Sequence, residues 1–178
     1  MNTTKKGDKL EDQAFVVFDK QIAEGYFFTR REYSKIFQKK GYYSRDREKD
    51  IIFDISVEVT LPGQERYSLL FLIECKNYNH RVPVDDIEEF FAKIQQVSGA
   101  NVKGIVMSTN SFQQGAFNFA KSKGIGLLRY FKEEKIGYSH VRPLIWCLRL
   151  MPLLQVLALT KHFGKKTIKV DILIFMDS

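Results

Sequence analysis

Three charged residues occupy two segments that read as paired strands: Asp54 in residues 51–60, and Glu74 with Lys76 in residues 67–76. Residues 61–66, with Pro62-Gly63 among them, read as the turn between them. If that hairpin has an odd-length loop or a bulge, positions summing to 128 are opposed. Asp54 then faces Glu74, and Lys76 follows on the same face two residues later. A slip of one residue instead puts Asp54 opposite Ile73, on the other side of the sheet.

Opposed carboxylates repel, and beside the apolar run 69–73 they are costly to leave unpaired. A cation between them is expected. Oxygen ligands favour a hard divalent ion, Mg²⁺ or Mn²⁺, which keeps several waters and accepts a phosphate oxygen. Lys76 would then orient or deprotonate a metal-bound water, or neutralise charge building on the phosphate. This is the chemistry of phosphodiester hydrolysis. The spacing alone is common, since Glu133-Glu134-Lys135 has it in a charged turn. Closure of a buried-type strand sets Glu74-Cys75-Lys76 apart, against the plainer reading of a surface ion pair at a fraying strand end.

Other elements must position these groups. Phe15, Phe18 and Ile22 form an apolar stripe on a helix over residues 8–24, ended by Gly25, and extending the stripe back by four residues lands on Glu11. A carboxylate there needs a cationic or metal-linked partner, or else complements the helix dipole. Residues 85–98 read as a crossover helix through Ile87, Phe90, Phe91, Ile94 and Val97. Residues 102–109 follow as a buried strand parallel to the Glu74 strand. Asn110 or Ser111 caps a helix whose Phe112, Ala116, Phe119 and Ala120 face inward, and Gly124 stops it before a last strand at 125–130.

The order of these residues resembles the PD-(D/E)xK nuclease superfamily, in particular its Mrr-type restriction endonuclease domain. Gly7-Asp8-Lys9-Leu10-Glu11, Asp54 and Glu74-Cys75-Lys76 carry the resemblance, which covers about residues 7–130. Phe53 stands where the superfamily's proline precedes the aspartate, and residues 30–49 look like an insertion. The resemblance implies an α/β fold, a restriction-endonuclease-like mixed sheet flanked by helices, with Asp54 and Glu74 as metal ligands. It implies Lys76 as the residue that positions water, Glu11 beside the site, and Gln95 or Gln96 supporting it from the crossover helix. Asp50 shares a face with Asp54 by even spacing and competes for the metal role, and its place across from about residue 78 makes it the second choice.

The chain has 178 residues with 44% apolar content, enough for one compact core. A nuclease domain over residues 1–135 and a C-terminal extension over 136–178 are expected. Net charge is +7, with five Lys/Arg against eight Asp/Glu in residues 51–110 and an excess of basic residues on both sides. An acidic centre with basic flanks suits metal binding within and phosphate contact around it, so DNA is the expected partner. Arg30, Arg31, Lys39, Lys40, Arg45 and Arg47 interleave with Tyr33, Phe37, Tyr42 and Tyr43 as the candidate nucleic-acid surface. Tyr33, Ile36 and Phe37 also have helical core spacing, and a helix ending at Lys40, before Gly41, is expected there.

Cys75 and Cys147 are too few for a disulfide framework, and the N-terminus lacks an apolar signal segment, so a cytoplasmic location is expected. Residues 143–160 are mostly apolar but interrupted by Arg149, Pro152 and Gln155, which favours a buried or interface helix over a membrane span. The strand-like end of the chain either extends the sheet or pairs with a second copy in a homodimer. These readings converge on a metal-dependent DNA endonuclease, in restriction or in defence against foreign DNA. The rival is a nucleic-acid-binding or assembly domain of the same fold without turnover, and a third reading anchors the chain to a membrane through residues 143–160.

Overall fold

The computed structural model describes residues 3–97, 101–132 and 168–173. Its elements run α1 (Thr3–Ala23), β1 (Ser34–Ser44), β2 (Lys49–Val59), β3 (Leu69–Lys76), α2 (Val84–Val97), β4 (Val102–Ser108), α3 (Gln114–Ser122), β5 (Gly126–Lys132) and β6 (Ile168–Leu173). The six strands form one mixed sheet in sequence order. β1, β2 and β3 are antiparallel, β3, β4 and β5 parallel, and β6 antiparallel to β5. The C-terminal extension thus contributes a strand to the sheet, while residues 143–160 lie outside the described residues. Among the described residues no helix is long and apolar enough to cross a membrane.

Both faces of the sheet are covered. Leu10, Ala14, Phe18 and Ile22 of α1 pack with Val57, Phe71, Ile73, Met107 and Leu128 on one side. Ile87, Phe90 and Ile94 of α2 and Ala116 and Ala120 of α3 pack with Leu70, Leu72, Val106 and Leu127 on the other. β3 sends alternate residues into each layer, which is why its sequence is an unbroken apolar run. α2 lies close on β4 because Gly104 has no side chain: a Cβ there would collide with Ile94 and touch the Phe90 ring.

The loop between β2 and β3 closes through a turn in which Gln64 N–H donates to the Leu61 carbonyl at 3.1 Å. Pro62 and Gly63 hold its centre, and Gly63 has φ +80°, as a type II turn requires. Ile55 pairs with Ile73 and Ser56 with Leu72, so the register is the one that opposes Asp54 to Glu74.

Two expectations fail. Residues 34–44 are a strand, not a helix. Asn110 and Ser111 do not cap α3, which starts at Gln114. Val82 N–H donates to the Ser111 carbonyl and Gln113 N–H to the Val82 carbonyl, and this bridge holds 111–113 extended.

The strand over 34–44 has an irregularity it shares with β2. Ile51 and Phe53 belong to the layer under α2, whereas Ile55, Val57 and Val59 belong to the layer under α1. The inward face therefore switches at Asp54. On β1 the ladder likewise skips Lys39, between the pairs Gln38–Ile55 and Lys40–Phe53, and Lys39 has φ +52°. Ile36 packs toward α1 while Tyr42 packs toward α2. Asp50 and Asp54, which simple alternation places on one face, are consequently separated by the switch.

Candidate active site

The pairing of β2 with β3 stops at Ile55–Ile73, after which β2 continues beside β1 and β3 beside β4. Asp54 and Glu74 stand at this fork. Asp54 fills the place of the missing strand contact: its Oδ2 accepts the backbone N–H of Cys75 at 2.7 Å. Burial, with the Glu74 charge next in weight, pushes the Asp54 carboxyl up from 3.8 to about 6, against the lowering effect of the Cys75 N–H.

Glu74 is only 9% exposed. Its Oε1 lies 3.3 Å from Lys76 Nζ and 3.4 Å from Lys93 Nζ. Burial pulls the Lys76 ammonium toward neutrality, but Glu74 and Asp86 outweigh it and hold the pKa above its ordinary value. Lys76 is therefore a fixed cation, suited to orienting water or steadying an oxyanion rather than taking up a proton. Asp86, in the first turn of α2, lies 3.4 Å from Lys76 and accepts the Tyr78 hydroxyl at 3.1 Å. The Cys75 thiol is pushed well up by burial, with Asp54 adding to the rise, and stays neutral.

Glu11 reaches the same region from α1 and is 14% exposed. Its Oε2 is buried and 3.2 Å from Lys39 Nζ, an ion pair by distance whose alignment falls short of a hydrogen bond. Lys39 instead donates to Asp8 at 2.8 Å. The Asp8 hydrogen bond, with Glu11 behind it, holds the Lys39 ammonium above its ordinary pKa. The left-handed turn at Lys39 thus sets a cation beside Glu11.

The structure places the other sequence candidates differently. Asp50 is exposed on the outer hairpin opposite Tyr43. Gln95 is exposed, and Gln96 bonds the Ala92 carbonyl and Arg47 Nε. It is Lys93, on the same helix, that meets Glu74. No sequence signal marks Lys93, since a lysine on an amphipathic helix reads as solvated; the same holds for Asp86, which reads as an ordinary acidic residue of a helix start.

Most of the candidate nucleic-acid cations have carboxylate partners. Arg30 lies 3.6 Å from Glu32, Arg31 bonds Asp19, and Lys40 lies 2.6 Å from Glu58 and over the Phe37 ring. Arg45, in the β1–β2 turn, is exposed.

Among the described residues no three His, Cys, Asp or Glu side chains converge as a ready metal cage. A Mg²⁺ ion needs only one or two carboxylates and otherwise keeps water and substrate oxygens. The contacts above use Asp54 Oδ2 and Glu74 Oε1, so the second oxygen of each carboxylate is not engaged by them. With the Asp54 carboxyl under electrostatic pressure as well, this donor set fits such an ion.

A family model described as restriction endonuclease, the Mrr catalytic domain, matches residues 18–132, more than half of the chain. No curated protein matches the sequence. Among solved structures, the chain is similar to the crystal structure of AF1548, a protein of unknown function, at 16% identity and a TM-score of 0.48. That likeness covers 66% of this chain and 56% of the other, so the match spans little more than half of its length.

Proposed function

Because the chain belongs to the restriction endonuclease family, we propose that it is a Mg²⁺- or Mn²⁺-dependent nuclease that cuts DNA internally. The observation that carries this reading is the meeting of Asp54, Glu74 and Lys76 at the fork of β2 and β3, with Asp54 anchored on the Cys75 N–H. Asp54 and Glu74 would hold the metal through their second oxygens. When bound, the ion supplies Lewis-acid polarisation of the phosphoryl oxygen and a more acidic water. Lys76, kept charged by Glu74 and Asp86, orients the attacking water and neutralises the growing phosphoryl charge. Asp86 and Tyr78 fix where that ammonium sits. Glu11, with Lys39 beside it, closes the acidic centre from the α1 side. We assign this unit to residues 1–135, with the C-terminal extension lending β6.

The test is incubation of purified protein with plasmid and with linear DNA, with and without Mg²⁺ or Mn²⁺. Wild type should nick or linearise the plasmid only with metal. Asp54→Ala, Glu74→Ala and Lys76→Ala should each abolish cleavage while leaving DNA binding largely intact. A wild-type protein that binds DNA but cuts none under any metal would make it a binding domain of nuclease fold.

A further inference from the structure

Two ammonium groups share one oxygen of Glu74, and the second comes from α2. Lys93 is only 20% exposed, although lysines on helices are ordinarily solvated. Its other partner, Glu89 at 3.0 Å, is one turn back on the same helix and 63% exposed, a kind of pair that contributes little. Lys76, by contrast, has a second, well-shielded partner in Asp86. Glu74 is therefore shared by two ammonium groups, of which Lys76 is also held by a shielded carboxylate and Lys93 only by an exposed one.

The position of Lys93 follows from tight packing. Its neighbour Ile94 and Phe90, one turn earlier, close over Gly104 of β4, the strand beside β3, so α2 sits low over Glu74. Burial pulls the Lys93 ammonium toward neutrality, but Glu74 and Glu89 outweigh it, and the group stays charged.

We propose that Lys93 is a second lysine of the active site, one that holds Glu74 while no divalent cation is there and serves the substrate phosphate once a cation takes that carboxylate. This rests on the phosphodiesterase reading given above. A dication on the second oxygen of Glu74 draws on the same single negative charge that holds Lys93 at Oε1, and it repels that ammonium. The displaced ammonium keeps only its exposed partner Glu89, so a phosphate oxygen near Lys76 would be a better one.

The experiment compares wild type with Lys93→Met, which keeps the apolar stem, and Lys93→Arg, which keeps the charge. Mn²⁺ affinity is measured on the DNA-free proteins by calorimetry, and kcat and KM on plasmid DNA with Mg²⁺. Lys93→Met should bind Mn²⁺ about tenfold tighter, because a competing charge is gone, yet show kcat lowered about tenfold or more. Lys93→Arg should return Mn²⁺ affinity to the wild-type value and recover part of kcat. A purely structural lysine would instead lower both metal affinity and rate when replaced. Unchanged or weaker Mn²⁺ binding by Lys93→Met, or a wild-type kcat, would overturn the proposal. Wild type that binds Mn²⁺ but cuts nothing would refute the nuclease reading and the phosphate role of Lys93 with it. The affinity comparison would still decide whether Lys93 and the cation compete for Glu74.

Discussion

Replacing Asp54 with asparagine should stabilise the metal-free protein at neutral pH while removing its activity. The asparagine side chain would keep an oxygen to accept the Cys75 N–H but would carry no charge against Glu74 and Glu11. With its pKa raised from 3.8 to about 6, and ~1.4 kcal/mol per tenfold in proton affinity, ionised Asp54 costs the fold roughly 3 kcal/mol as an upper figure. Between those two values the folded protein binds more protons than the unfolded chain, so wild-type stability falls as pH rises. The cost is absent below about pH 4 and complete above about pH 7. Thermal unfolding in EDTA at pH 4, 6 and 8 is the assay. At ~2–4 °C per kcal/mol for a chain of this size, Asp54→Asn should unfold several degrees above wild type at pH 8 and level with it at pH 4. Mn²⁺ should raise the wild-type midpoint at pH 8 and leave the variant unmoved. A gap of the same size at every pH, or a variant less stable than wild type at pH 8, would refute the reasoning.

Asp50→Asn should retain metal-dependent cleavage, since Asp50 lies on the exposed outer hairpin. Loss of metal binding there, with Asp54→Asn behaving as wild type, would show that the other aspartate is the ligand. Lys39→Gly and Lys39→Ala both delete the charge, but only glycine is at ease at φ +52°, so the glycine variant should be about 1 kcal/mol the more stable in urea. Equal midpoints would mean the backbone at residue 39 is unstrained. Gly104→Val should cost ~1–3 kcal/mol by forcing Ile94 and Phe90 off β4. It should also lower cleavage more than Mn²⁺ binding, because Lys93 and Asp86 move with α2 while Asp54 does not; a wild-type melting point and rate would contradict this.

The two strands that carry Asp54 and Glu74 were legible because their cues are local. The run 69–73 is apolar on both faces and Pro62-Gly63 marks the turn, but two registers stayed open, and it is the observed pairing that opposes Asp54 to Glu74. α2 was equally plain from Ile87, Phe90 and Ile94, and the parallel pairing of β3 with β4 followed from the crossover helix between them. β1 was misread because Tyr33 lies in a short 3-10 turn before the strand and Phe37 alternates to the face opposite Ile36, beneath Lys40, so three residues with no common face have the spacing of a helix. Lys93 and Asp86 could not be picked out, since their contacts with Glu74 and Lys76 depend on how low α2 sits over the sheet. That height is set by the absence of a side chain at Gly104.

The face switch at Asp54 and Lys39 also stitches the two cores together. The outer half of the β1–β2 hairpin belongs to one layer and the inner half to the other. The charged groups that meet at the seam come from both, Glu11 from α1 and Lys93 from α2. Loosening either layer thus separates these groups, so the assembly of the charged cluster has the cooperativity of the whole fold rather than of one motif. Under the proposed nuclease reading this would act as a safeguard: a nascent or partly unfolded chain would not present the assembled centre.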